Sequence, residues 1–187
     1  WLQRFGAEEC RALCSFINTI PPITVRVNNL RTIREELHRE LAQETESTID
    51  TRHSPLGLSF VNPRFPIPKM TTYQKGWFQV QDEAAQLVTH LLDPLPGDKV
   101  LDACAGLGGK TGHIAQMMKN RGRVAAMDIS KDKLSRLVAE MDRMIVKNTT
   151  PYVHDFEGPL KERPYRHYDR ILLDAPCSGL GVLRRNP

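Results

Sequence analysis

Lys99–Thr111 reads Lys-Val-Leu-Asp-Ala-Cys-Ala-Gly-Leu-Gly-Gly-Lys-Thr, and this stretch decides the fold class. A short apolar run ends at the carboxylate of Asp102 and is followed by a turn that contains Gly106, Gly108 and Gly109. Glycine has no β-carbon, so these positions suit a backbone that bends sharply or lies against a ligand. Residues at helical spacing follow the turn. This order of strand, glycine turn and helix is typical of an α/β nucleotide-type site, where amides at the helix N-terminus face the ligand.

Composition places the chain among ordinary globular proteins. Its 187 residues are 40% hydrophobic and 26% charged, which allows a sizeable core. No apolar run approaches the roughly 20 residues of a membrane span, and no secretory signal opens the chain. The four cysteines form no Cys-x-x-Cys pair, so we expect no metal site, no disulfide framework and a reducing, cytoplasmic setting. A net charge of +4 permits a polyanionic partner without requiring one.

The N-terminal part predicts a small α+β domain. The predicted elements are a helix over 7–19, a strand over 24–28, a helix that extends to residue 43, and a strand over 56–61. The second helix has the capping-box spacing of Thr32 and Glu35, and an apolar stripe of Ile33, Leu37 and Leu41. Three prolines between positions 63 and 68 then suggest a linker, and we place a domain boundary near residue 70.

Residues 71–187 predict a doubly wound, Rossmann-like parallel sheet. The predicted elements are an extended segment over 76–81, a helix capped by Asp82, strands over 99–103, 123–128, 152–153 and 170–174, and helices after the first two of these strands. The helix after Asp82 is expected to bury Ala84, Leu87, Val88 and Leu91. Strand 170–174 is typical of a strand buried on both faces, so we expect a sheet that is C-terminally truncated in this chain.

The glycine turn fits neither of two common phosphate-binding fingerprints. A P-loop, Gly-x-x-x-x-Gly-Lys-Thr, matches residues 109–111 but has Cys104 where its first glycine belongs. The dinucleotide pattern Gly-x-Gly-x-x-Gly matches Gly106 and Gly108 but has Thr111 at its last position. A phosphate-binding NTPase therefore stays open only as an alternative function, as does a non-catalytic RNA-binding module.

Carboxylates end four successive predicted strands, at Asp102, Asp128, Asp155 and Asp174. Asp102 would repel a pyrophosphate but suits a ligand with an ammonium or sulfonium group. Asp128 follows the glycines by about 20 residues, the position from which an acid binds ribose hydroxyls, and Asp155 is placed to accept from an adenine amino group. Acids in such positions also cap helices. As a set, in a sequence without a complete phosphate-binding motif, these acids favour S-adenosylmethionine as the ligand.

A second stretch, Asp174-Ala-Pro-Cys177-Ser-Gly-Leu-Gly181, follows the fourth strand. A cysteine in a turn beside a cofactor cleft is a candidate nucleophile or acid/base, provided that its pKa is lowered. The other interpretation of Cys177 is a buried packing residue.

These motifs together resemble the Nop/Sun family of RNA cytosine-5 methyltransferases, and within it the bacterial enzymes of small-subunit (16S) ribosomal RNA. The resemblance rests on the two stretches above, on Arg-Arg-Asn-Pro over 184–187, on Phe-Gln-Val-Gln-Asp-Glu-Ala-Ala-Gln over 78–86 and on Pro-Ile-Thr-Val-Arg-Val-Asn over 22–28. It covers nearly the whole chain. One departure is Gly106-Leu107, where the family usually has Ala-Pro; this changes the stiffness of the turn and leaves its amide contacts possible.

The resemblance implies an S-adenosylmethionine-dependent methyltransferase sheet over 71–187, preceded over 1–70 by a small RNA-recognition-like α+β domain. The implied substrate is RNA, namely a cytosine of 16S ribosomal RNA. The family holds its cofactor with residues that correspond to Cys104, Ala105, Gly106, Leu107, Gly108, Gly109, Lys110, Asp128, Asp155 and Asp174.

The resemblance also implies a covalent route, because carbon 5 of cytosine is a poor nucleophile towards a methyl sulfonium. A cysteine thiolate adds to carbon 6, carbon 5 takes the methyl group, and a base removes the carbon-5 proton before the cysteine is eliminated. In the family, Cys177 corresponds to the cysteine that assists product release. The nucleophile belongs to a Thr-Cys-Ser type motif, expected after Pro187, so we expect the 187-residue chain alone not to methylate RNA.

Overall fold

The computed structural model describes residues 1–159, 164 and 166–185. Contacts divide the chain into two compact units, Ile23–Ala175 and the combination of Trp1–Pro22 with Pro176–Pro187. The smaller unit contains helix α1 (Leu2–Ile17), which is kinked at Gly6, and a short 3-10 helix at Leu180–Val182. Within this unit, Arg184 donates from Nε to Thr19 Oγ1 over 2.9 Å. No helix of the described residues is long and apolar enough to cross a lipid bilayer.

An antiparallel sheet opens the larger unit, with strand order β2-β3-β1-β4. Its strands are β1 (Ile23–Val27), β2 (Ser47–Asp50), β3 (Gly57–Val61) and β4 (Phe78–Val80). Helix α2 (Arg34–Glu44) buries Leu37 and Leu41 completely against the apolar side chains of the sheet. Strand β4 lies after residue 70 and pairs with β1, with Val80 opposite Val25. The division into domains 1–70 and 71–187 stays a prediction.

The predicted capping box of α2 is wrong. The helix begins after Ile33, whose backbone is extended and whose side chain is 63% exposed, so Ile33 is not part of the buried stripe. The Thr32 hydroxyl donates to Glu36 Oε2 over 2.6 Å instead of capping a helix amide. The first helical residue is therefore Arg34, two positions after the residue expected to be the cap.

A four-stranded parallel sheet follows, with strand order β7-β6-β5-β8, and confirms the predicted α/β fold. Its strands are β5 (Lys99–Asp102), β6 (Arg123–Asp128), β7 (Thr149–Val153) and β8 (Arg170–Leu172). The helices are the single turn α3 (Thr71–Gln74), α4 (Glu83–Leu92), α5 (Gly109–Met117) and α6 (Lys131–Arg143). Leu172 is buried but Ile171 is 59% exposed, because β8 lies at the edge of the described sheet.

Helix α4 does not bury the face that its apolar residues predict. Leu91 is 86% exposed, whereas Gln86 and Thr89 are completely buried. Gln86 is accommodated because its amide group donates to the carbonyls of Val25 and Gln81 over 3.2 and 2.9 Å. Polar contacts with the antiparallel sheet therefore set the orientation of this helix.

Candidate active site

The glycine turn between β5 and α5 has the backbone geometry that its sequence predicts. Gly106 and Gly108 have φ angles of +55° and +86°, in the left-handed region that favours glycine. A β-carbon on Gly108 would also lie 2.8 Å from Leu137 Cγ, closer than ordinary packing allows. Gly108 is the N-cap of α5, so the turn directs the first amides of that helix towards the end of β5.

Asp102 ends β5 and is only 1% exposed. Burial raises the pKa of its carboxyl to about 6, although the hydrogen bond from Thr111 and the charge of Lys110 both act to lower it. The Thr111 hydroxyl donates to Asp102 Oδ2 over 2.7 Å. At neutral pH the Asp102 side chain is therefore negatively charged and poorly hydrated, and its hydrogen bond with Thr111 fixes its position.

A cavity of about 210 Å³ lies between Asp102 and the turn. Its lining residues are Gln81, Ala85, Asp102, Cys104, Ala105, Gly106, Gly109, Lys110 and Asp174. Lys110 Nζ forms an ion pair with Asp174 Oδ2. Burial, together with the nearby carboxylates of Asp128 and Asp102, raises the pKa of the Cys104 thiol. The cavity thus contains two carboxylates, one paired lysine and a protonated thiol.

Asp128 connects the end of β6 to the glycine turn. Its Oδ2 accepts from the Gly106 amide over 2.9 Å, and its Oδ1 accepts from the Ser130 amide over 2.8 Å. The residue is 8% exposed. Each carboxylate oxygen has a second acceptor site, so this bridging role leaves Asp128 able to accept from ligand hydroxyls.

A second cavity of about 550 Å³ lies beside the ends of β6 and β7. Its lining residues are Met127, Ile129, Tyr152, Val153, His154, Asp155, Gly158 and Pro159. Asp155 is exposed and stabilises a turn, since its Oδ1 accepts from the Glu157 amide over 2.9 Å. His154 packs edge-on against Phe156 with ring centroids 4.6 Å apart. This cavity offers aromatic and apolar walls with one carboxylate, as an adenine ring would need.

Four predicted site residues line neither of these two cavities, and one of them is Asp128, which reaches the smaller cavity only through its bond to Gly106. Leu107 is 46% exposed and lines a different groove, together with Arg136 and Arg143. Gly108 is buried against Leu137 and lines neither cavity. Cys177 belongs to the smaller unit, where its thiol is exposed. Their roles in cofactor binding and product release stay predictions.

Sequence reasoning missed Gln81, Ala85 and a completely buried arginine, Arg26. Arg26 donates to the carbonyl of Gly109 over 3.0 Å and to the side-chain oxygen of Gln81. The available sequence signal was a charged residue between two valines in a predicted strand. In the structure each residue of Thr24–Val27 is buried, and Arg26 is buried with them. A cation in such a strand needs buried acceptors, and these lie far away in the sequence.

Two protein-family profiles match the chain. The profile described as 16S rRNA methyltransferase RsmB/F matches residues 89–187. The profile of the RsmF/B-like ferredoxin-like domain matches residues 1–66.

Individual relatives agree with these profiles. The chain is 36% identical to a probable ribosomal RNA small subunit methyltransferase B of Synechocystis, over 99% of this chain and 42% of that protein. It is 33% identical to the human 28S rRNA (cytosine(4447)-C(5))-methyltransferase, over 91% of this chain and 21% of that protein. A solved methyltransferase homolog protein from Pyrococcus horikoshii superimposes with a TM-score of 0.80 at 28% identity, over 98% of this chain and 59% of that one. The chain spans less than half the length of these two curated relatives. The resemblance inferred from the motifs is confirmed: this chain belongs to the 16S rRNA methyltransferase RsmB/F family.

Proposed function

We propose that the protein carrying this chain is an S-adenosylmethionine-dependent enzyme that methylates carbon 5 of a cytosine in ribosomal RNA. The observation that carries the proposal is the charge of the cavity at the glycine turn. A lysine that would face phosphates in a P-loop is paired with Asp174, and Asp102 is buried beside it. Such a cavity disfavours a polyphosphate and favours a cationic ligand.

The side chains around the two cavities fit S-adenosylmethionine. We assign Asp102 and Asp174 to its ammonium and sulfonium region, because both carboxylates line the smaller cavity. We assign Asp128 to the ribose hydroxyls and Asp155, in the larger cavity, to the adenine amino group. The bound cofactor supplies an electrophilic methyl group, and the carboxylates stabilise its positive charge.

We further propose 16S ribosomal RNA as the substrate and the cytoplasm as the location. Support comes from the small-subunit methyltransferase relative in Synechocystis and from the matched family profile. We assign RNA binding to the ferredoxin-like region over 1–66. The covalent cysteine route requires an unpaired or flipped cytosine, and we keep Cys177 as the residue that assists product release.

Isothermal titration of the complete protein with S-adenosylmethionine, and separately with ATP and Mg²⁺, tests the cofactor assignment. We expect binding of the first ligand only. Methyl transfer to a 16S ribosomal RNA transcript, with detection of 5-methylcytosine by mass spectrometry, then tests the reaction. Tight ATP binding without S-adenosylmethionine binding would instead support an NTPase, and RNA binding without cofactor binding would support a non-catalytic module.

A further inference from the structure

Arg26 lies in β1, one of the two inner strands of the antiparallel sheet, and its side chain is completely buried. Burial of an isolated guanidinium is unfavourable unless its N–H groups find acceptors. Within the described part of the chain, no ion pair provides Arg26 with a carboxylate. The pKa of Arg26 is accordingly lowered to about 9, mainly by burial, so the group remains charged at neutral pH. Among the described residues, the Glu140 carboxylate favours the charged form of Arg26 without forming a direct ion pair with it, so neutral oxygen acceptors must hold the guanidinium.

Four oxygen atoms accept from this guanidinium. Nε donates to Gln116 Oε1 over 3.1 Å, and Nη2 donates to Gln79 Oε1 over 2.8 Å. Nη1 donates to the Gly109 carbonyl over 3.0 Å and also to Gln81 Oε1. The planar guanidinium of Arg26 therefore connects β1 and β4 to the first residue and the last turn of α5.

Two of these partners, Gln81 and Gly109, line the 210 Å³ cavity. Because arginine only donates, the oxygen of the Gln81 amide must face Arg26. The nitrogen of the same amide is then the end left to donate to a ligand. The cavity's carboxylates suit the cationic groups of an amino acid moiety, and the carboxylate of that moiety needs a donor of this kind.

We propose that Arg26 is a positioning residue of the cofactor site, which holds Gln81 with its side-chain nitrogen towards the carboxylate of the cofactor. This inference rests on the proposed function, since it takes S-adenosylmethionine as the ligand. It makes the antiparallel sheet a direct support of the cavity. The opposing explanation is that Arg26 only fills the core of its sheet.

Two variants of the complete protein distinguish these explanations. Arg26→Lys keeps the charge but cannot reach four acceptors, and Gln81→Met keeps the length of the side chain but removes its amide. We expect each to raise the Kd for S-adenosylmethionine about 10-fold, as for the loss of a hydrogen bond to a charged group. The double variant is expected to show no more than the same 10-fold increase, because Arg26 acts through Gln81.

Decarboxylated S-adenosylmethionine is the second probe, because it lacks the carboxylate that Gln81 would bind. Both single variants should bind this probe as tightly as the wild type does. The matched control is Leu41→Ala in α2, which removes buried atoms that pack against the same sheet and does not line the cavity. We expect it to lower the Tm and leave both Kd values unchanged.

Calorimetry can overturn the inference in three ways. Arg26→Lys could bind S-adenosylmethionine with wild-type affinity, or the increases in Kd of the two single variants could multiply in the double variant. A single variant could also lose affinity equally for both probes. If Arg26→Lys does not fold, wild-type affinity of Gln81→Met for S-adenosylmethionine overturns it equally. A wild-type protein that binds neither probe refutes the proposed function, which is a separate result.

Discussion

Replacement of Asp102 by Asn should stabilise the ligand-free protein at neutral pH and weaken cofactor binding. Burial raises the pKa of Asp102 from 3.8 to about 6. A carboxyl group with a higher pKa in the folded state favours folding when it is protonated. Its stabilising contribution is therefore fully present below pH 3.8 and is lost as the pH rises to about 6.

The magnitude follows from the burial and contacts of this carboxyl. The difference between a pKa of 3.8 and one of about 6 corresponds to about 3 kcal/mol of stability lost by the wild type above pH 7. Asn retains an oxygen for the Thr111 hydroxyl, but its amide nitrogen replaces the oxygen that accepts from the Cys104 backbone N–H. That loss costs about 1 kcal/mol. We expect Asp102→Asn to be more stable than the wild type by about 2 kcal/mol at pH 8, and less stable by about 1 kcal/mol below pH 4.

Urea unfolding of the wild type and the variant at pH 4 and pH 8 measures this difference. Asp142→Asn is the matched control, since it removes an exposed carboxylate from α6 and should change stability by less than about 0.5 kcal/mol at either pH. Calorimetry should show that Asp102→Asn raises the Kd for S-adenosylmethionine at least about 10-fold. A variant that is less stable than the wild type at pH 8 would show that the cavity hydrates or pairs Asp102 well, and would refute the reasoning.

Three further substitutions test other parts of the site. Asp128→Ala should weaken S-adenosylmethionine binding, since it removes the acceptor assigned to the ribose and the link to Gly106; unchanged affinity by calorimetry would remove Asp128 from the site. Cys177→Ala in the complete protein should trap a covalent RNA adduct, and a denaturing gel without such an adduct would count against the product-release role. Gly108→Ala should destabilise the protein by about 1–3 kcal/mol, because its φ is +86° and a β-carbon would crowd Leu137. In thermal unfolding, Gly158→Ala is the control, with no contact closer than 3.7 Å, and equal Tm values for the two variants would contradict this account of the turn.

The parallel sheet was predictable because its signals are local. Apolar runs of a few residues end in acids, as at Asp102 and Asp128, and each is followed by a turn and a helix. The hydroxyl of Ser130 caps α6, accepting from the Lys133 amide over 3.3 Å. Such contacts join residues a few positions apart, so one sequence contains both partners.

Two of the failures involve partners that are distant in the sequence. Gln86 is buried because the carbonyl of Val25, 61 residues away, accepts its hydrogen bond. Arg26 is buried because acceptors 53, 55, 83 and 90 residues away surround it. A pattern of apolar residues cannot reveal either case, since both side chains are polar and their environment exists only after the two sheets have formed.

The candidate site was predicted in its chemistry more than in its geometry. The acids and the glycine turn were identified because their residue types are unusual at strand ends. The division of these acids between two cavities was not predicted. It depends on the turn after Asp155 and on the bridge from Asp128 to Gly106. Leu107 was included because it belongs to the loop that corresponds to the family's cofactor-binding residues, but it lines a different groove.

The pairing of β4 with β1 limits how this protein can be recombined with its relatives. A chimera joined near residue 70 would take β1 from one parent and β4 from the other, so Arg26 would meet a foreign Gln79 and Gln81. The hybrid would have mismatched strand contacts beside the cavity at the glycine turn. An exchange of modules that preserves this interface must transfer Ile23–Ala175 as one cassette, with its junction ahead of β1.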